Sequence, residues 1–133
     1  AIERTHYLYE MEHLLSKKIE KTYKGNTFKI QFTSYGNKHL FSDTFRRSHI
    51  LTKDDLKNLD SLLEKAIVFD DAPSDPTHHN GYEHFYYLKV QLRDEWIRLN
   101  VGVKTRRKGS GQVYRDYTLY SVNDIRKDTR GGS

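Results

Sequence analysis

Residues 83–122 constrain this chain most. They run EHFYYLKVQLRDEWIRLNVGVKTRRKGSGQVYRDYTLYSV, three successive alternating patterns joined by short charged turns. Tyr86, Leu88, Val90 and Leu92 share one face of a first strand, and Ile97, Leu99, Val101 and Val103 share one face of a second. Arg93-Asp94-Glu95 joins them. A link that short makes only an antiparallel pair, because a parallel crossover needs a dozen residues or more. Lys104 to Gln112 is a basic loop with Gly109 and Gly111 at its tip, and Tyr114 to Val122 is the third strand.

Helices precede this meander. Leu8, Met11, Leu14, Leu15 and Ile19 recur at helical spacing, which predicts an amphipathic helix over residues 2–20, ending by Gly25-Asn26. Phe28, Ile30 and Phe32 predict a strand, and Ser34 to Asn37 a turn. Lys38 to Phe45 reads as a short helical segment. Thr52 with Asp55 forms an acidic capping box for a helix running to about Lys65. Ile67-Val68-Phe69 is a short apolar run that reads as a small strand, and residues 70–82, with both prolines, read as a loop. Helices first and sheet last predict one α+β domain over residues 1–133, with helices packed on a four- or five-stranded antiparallel sheet. Its parts are a helix over 1–26, a core over 27–125 and a basic tail over 126–133.

The 133 residues suffice for one core without staples. Cysteine is absent, which excludes disulfides, thiolate nucleophiles and Cys-type zinc sites. No apolar run is long enough to span a membrane. Ala1-Ile2-Glu3-Arg4-Thr5-His6 does not read as a signal peptide, and a start without methionine fits a piece of something longer. The net charge is +5, concentrated late. Lys104, Arg106, Arg107, Lys108, Arg115, Arg126, Lys127 and Arg130 face only Asp116, Asp124 and Asp128 in that stretch. Such a basic third suits a polyanion, and ten tyrosines add faces that stack on unpaired bases. A solvated face with basic turns is the plainer alternative.

Alternation places Trp96, Arg98, Asn100 and Lys104 opposite the core, with Lys89 and Gln91 beside them and Asp116, Thr118 and Tyr120 on the third strand. Upstream stands Gly36-Asn37-Lys38-His39-Leu40, a basic pair at a strand-to-helix junction. Transesterification of RNA needs a base for the 2′-hydroxyl proton, an acid for the leaving 5′-oxygen and cations for the charge gathering on phosphorus. Histidine, hydroxyls and Arg or Lys are the residue types for these tasks. His78 and His79 sit side by side in the loop, where solvent exposure is the simpler reading and a mobile acid the other. Zinc on His78, His79 and His84 is disfavoured, because adjacent residues rarely aim both rings at one ion.

The order of elements, the Lys38-His39 pair and the closing Tyr117-Thr118-Leu119-Tyr120-Ser121-Val122 strand resemble the barnase–EndoU–colicin–RelE nuclease superfamily over residues 27–125. The likeness is to members found as toxin tips of contact-dependent inhibition proteins and in phage or mobile-element polyproteins. It implies a barnase- or RelE-like fold and a metal-independent ribonuclease without cofactor, often acting on tRNA. Catalytic positions would be His39, Lys38, Arg98, Thr118 and Tyr120. RNA-binding cations would be Arg46, Arg47, Lys104, Arg106, Arg107, Lys108 and Arg115. It also implies an acidic immunity protein as partner and, for a toxin, secretion or delivery into a target cell's cytoplasm. No second histidine is evident on the sheet, so the second proton-transfer group stays open. The alternative is a non-catalytic nucleic-acid-binding or protein-interaction module of a phage or mobile-element protein.

Overall fold

The structure, a computed structural model, describes residues 2–46, 51–75 and 81–125. The first expected helix is three elements. Helix α1 spans Ile2–Glu10, a 3-10 turn spans Glu12–Ser16, and strand β1 spans Lys18–Tyr23. The chain extends at Lys17, with φ −88° and ψ 142°, whose N–H closes the 3-10 turn on the carbonyl of Leu14. Leu8, Met11 and Leu14 keep the helical spacing, but Ile19, Thr22 and Tyr23 favour a pleated strand. Lys24 and Gly25 then turn the chain with φ of 51° and 79°, the left-handed pair that a two-residue hairpin needs. Strand β2, Asn26–Gln31, pairs back on β1 with Tyr23 opposite Asn26.

Helix α2 spans Ser34–Arg46 and absorbs the expected turn at Ser34 to Asn37. Thr33 starts it, because its hydroxyl accepts the Gly36 N–H at 3.0 Å and its carbonyl the Asn37 N–H at 2.8 Å. Helices α3, Lys53–Lys57, and α4, Leu59–Lys65, replace one continuous helix and break at Asn58. Thr52 makes the expected capping box: Asp55 N–H donates to its hydroxyl and Thr52 N–H donates to the Asp55 carboxylate. Strand β3 runs Ile67–Pro73, well into the stretch expected as a loop. A bulge at Phe69 shifts its register against β4, as edge strands tolerate. Strands β4, His84–Leu92, β5, Glu95–Arg107, and β6, Val113–Asp124, form the expected antiparallel meander.

The fold is α+β, but the sheet departs from expectation. It has six strands in the order β1-β2-β6-β5-β4-β3, and β2 runs parallel to β6. The sixth strand is β1, formed by residues expected to close the first helix, and β3 is longer than the apolar run at residues 67–69. The parallel pair is possible because everything from α2 to β5 lies between β2 and β6 in the chain. The sheet curls until β1 touches β3. Lys21 fastens the seam, its Nζ donating to the carbonyls of Glu64 at 2.8 Å and Ala66 at 2.6 Å. One face buries Ile30, Leu88, Ile97, Leu99, Val101 and Leu119 against Met11, Leu14, Leu40, Leu56, Leu59 and Leu63. The opposite face carries Arg98, Asn100, Gly102 and Lys104 of β5. Among the described residues no helix is long and apolar enough to cross a membrane.

Asp55 also holds Arg93, at the β4–β5 turn, in a two-pronged pair at 2.7 and 3.2 Å. Burial pushes its carboxyl up, but bonds from Arg93 and Thr52 outweigh that and leave it below the ordinary carboxylate value. A depressed native value means that the contribution to stability is full above the unfolded-state value, about 3.9, and is lost as pH falls below it. Asp55→Asn should therefore reduce stability at pH 7 by about 1 kcal/mol. Urea denaturation at pH 7 and pH 3 should show the variant's deficit shrinking at the lower pH. An equal deficit at both would sink this account.

Candidate functional site

The face opposite the core is organised by two irregularities in β6. First, the ladder to β5 pairs Val101 with Leu119 and Asn100 with Ser121, so Tyr120 is an extra, bulged residue. Beyond the bulge the phase changes. Leu119 and Val122 both point into the core, while Ser121 and Asn123 join Arg98 and Asn100 outside. Second, the β2–β6 ladder has only two pairs, Ile30–Tyr117 and Gln31–Thr118. After them β2 leaves for α2, which then lies along the free edge of β6.

That placement brings His39 to Tyr120. Nδ1 of His39 sits 2.9 Å from the Tyr120 carbonyl, and the two rings stack at 4.0 Å between centroids. A carbonyl only accepts, so Nδ1 carries the proton and Nε2 is the acceptor of the neutral ring. Gly36 makes the approach possible: a Cβ there would lie 2.9 Å from the Leu119 carbonyl. Around Tyr120 stand Tyr35, stacked at 6.3 Å, Tyr82, edge-on at 5.0 Å, and Phe85 at 6.3 Å.

Tyr82 is the buried member, only 7% exposed, with its ring pressed on Gly102. Burial pushes its phenol up to about 12; Tyr120 and Tyr35 add to the shift, and Arg106 opposes it. At neutral pH Tyr82 therefore keeps its proton. Lys104 lies over this ring at 4.6 Å. Arg106 is paired through Nε with Asp116 at 2.6 Å.

The other expected site residues are distributed as follows. Lys38 and His39 do not form a pair, because adjacent helical residues point about 100° apart. Lys38 instead lines a groove of about 340 Å³ between α1 and α2 with Leu8, Tyr9 and Leu15. Arg98 belongs to an amide network. Its Nε donates to Asn100 Oδ1 at 2.9 Å, its Nη2 donates to Asn123 Oδ1 at 3.1 Å, and its guanidinium covers Tyr87 at 4.7 Å. Asn100 in turn donates to Ser121 and Asn123. Thr118 is in the same neighbourhood, near Gly36, but it is only 4% exposed and so lies beneath the surface.

Arg107 donates to the Gly111 carbonyl at 3.2 Å, and Lys108 covers Tyr114 at 5.5 Å. Arg115 lines a second groove beside β2. Arg46 closes α2. Arg47, His78, His79 and the basic tail 126–133 lie outside the described residues.

Sequence reasoning missed Tyr35, Tyr82, Phe85 and Tyr87 as members of this face. A signal for Tyr82 existed in Gly102, since a glycine inside a strand often marks close approach of another group. A histidine on the sheet was also missed. His84 opens β4 and bonds Asp71 on β3 through Nε2 at 2.8 Å. It lies in register with Val103, whose side chain is in the core. His84 thus sits on the face opposite Tyr120 and does not join His39.

The cluster unites a histidine of defined tautomer, three phenols and two cations on one face. Comparison with known families, curated proteins and solved structures finds no match to this chain.

Proposed function

We propose that this domain is a metal-independent endoribonuclease of the toxin or effector kind, cutting RNA, with tRNA a natural candidate. The observation that supports it most is His39, held through Nδ1 by the Tyr120 carbonyl and stacked on the Tyr120 ring. In this reading Nε2 of His39 takes the 2′-hydroxyl proton. The 2′-oxygen attacks phosphorus, the bond to the 5′-oxygen breaks, and that oxygen is protonated as it leaves. Tyr120 is the nearest phenol to supply a hydrogen bond or that proton. Lys104 and Arg106 balance the charge on the phosphoryl oxygens, with Arg98 available further along the sheet. Thr118 would support the site from beneath. A dedicated acidic inhibitor would protect the producing cell by covering the cationic rim.

A second reading has its own support. Phe85 and Tyr87 stack at 6.4 Å and Arg98 covers Tyr87, an array that binds bases without any chemistry. Incubation of total RNA with the domain in EDTA separates the two. Catalysis gives discrete fragments ending in 2′,3′-cyclic phosphate and 5′-hydroxyl. Intact RNA that is nonetheless retained by the protein would favour the binding module. Cleavage that requires magnesium, or 5′-phosphate ends, would contradict the transesterification chemistry.

A further inference from the structure

The groove beside β2 extends the site. It measures about 440 Å³ and is lined by Lys18, Lys29, Gln31, Lys108, Arg115 and Asp116, with Tyr114 and Tyr117. It exists because the β2–β6 ladder stops at Ile30–Tyr117, so the strands separate on the side of Lys29 and Arg115. Lys18, Lys29 and Arg115 are exposed and make no ion pair or side-chain hydrogen bond with any described residue. The single carboxylate, Asp116, is committed to Arg106. Four cations gathered around one neutralised acid raise the local positive potential and favour a polyanion.

Register connects this groove to His39. One cross-strand row runs Lys18, Gln31, Thr118, Gly102, Phe85. Tyr82 covers Gly102 in that row and touches Tyr120, on which His39 stacks. A second row on the same face pairs Asp116 with Lys104, and Lys104 lies over Tyr82. From β1 to β5 the row spans about 14 Å, room for a few nucleotides of an extended strand.

We infer that single-stranded RNA crosses the sheet along these rows, its phosphates held by Lys18, Lys29, Lys108 and Arg115, and that this groove is where the strand extends away from the cleavage site. The inference rests on the proposed RNA reading, but not on catalysis. Its partner is a nucleic-acid strand rather than an acidic protein, because an exposed aromatic ring, Tyr114, stands among the cations beside Lys108.

The test is salt-dependent binding of a 12-nucleotide 2′-O-methyl RNA, which cannot be cleaved, followed by fluorescence anisotropy. Each lost phosphate contact on a single strand should lower the slope of log K against log salt by about 0.7. Lys18→Gln with Lys29→Gln should therefore reduce it by about 1.4. The parent's loss of affinity over a fourfold salt increase should then shrink about sevenfold. Lys65→Gln, on α4, should leave the slope unchanged. A double variant with the parent's slope would overturn the inference. So would polyglutamate of equal charge that displaces the RNA at equal concentration, which would mark a protein-binding surface. Cleavage of a dinucleotide is read separately. Its absence with the slope change present would refute the chemistry and leave the track standing.

Discussion

His39→Ala should lower RNA cleavage by about 10²- to 10⁴-fold, the usual contribution of a positioned general base. The variant should remain folded. It loses one hydrogen bond to the Tyr120 carbonyl, about 1 kcal/mol, and a ring stack of similar size. Urea denaturation would measure that loss independently of activity. Affinity for an uncleavable RNA should fall only a few-fold, since Tyr35, Tyr82 and the cations remain. The combination matters: folded, still binding, no longer cutting. A His39→Ala protein that generates the parent's fragments at the parent's rate would remove His39 from the chemistry and turn attention to the phenols.

The second large effect is expected at Gly102. A Cβ there would lie 2.5 Å from Tyr82 Cδ1 and 2.6 Å from Cγ. These atoms are near the root of the Tyr82 side chain, so rotation about its last bonds gives no relief. Gly102→Ala must lift the ring off the sheet, at about 1–3 kcal/mol. The displaced phenol gains water, so its titration should move from about 12 towards the ordinary value, about 10. The sign for stability follows from the raised native value. Burying Tyr82 neutral stabilises the parent fully below about pH 10, the unfolded-state value, and the contribution is lost as pH rises towards 12. In Gly102→Ala that alkaline decline should be shallower. Ultraviolet titration of tyrosinate together with denaturation at pH 8 and pH 11 would read both. An unchanged highest-titrating tyrosine would show that Tyr82 is not held by Gly102.

Local pattern carried much of the architecture. The alternation through Leu88, Val90, Ile97, Leu99 and Val101 determined which side of the meander is buried, because a pleated strand has a period of two wherever it is regular. The Thr52–Asp55 capping box was equally local, three residues apart in the chain and bonded as expected. The charge of the β5–β6 turn and the outward position of Arg98 were readable for the same reason.

Where the backbone breaks its period, the sequence lost its authority. Tyr120 and Phe69 are extra residues, and a bulge is decided by what the partner strand can accept. Nothing in Thr118-Leu119-Tyr120-Ser121 alone says that the phase changes there, so Ser121 and Asn123 could not be placed beside Arg98. Ile19 also satisfies helical spacing, which carries the expected helix to residue 20; pairing with β2 makes residues 18–23 a strand instead. The site itself was a tertiary result. His39, Tyr82 and Tyr120 are far apart in the chain and meet because β2 stops pairing at Thr118 and sends α2 along the edge of β6. Likewise Lys18 and Lys29 share a groove with Arg115 only where β2 and β6 part. The residue types were present from the start; which of them share one face is set by long-range ladder contacts that no local window contains.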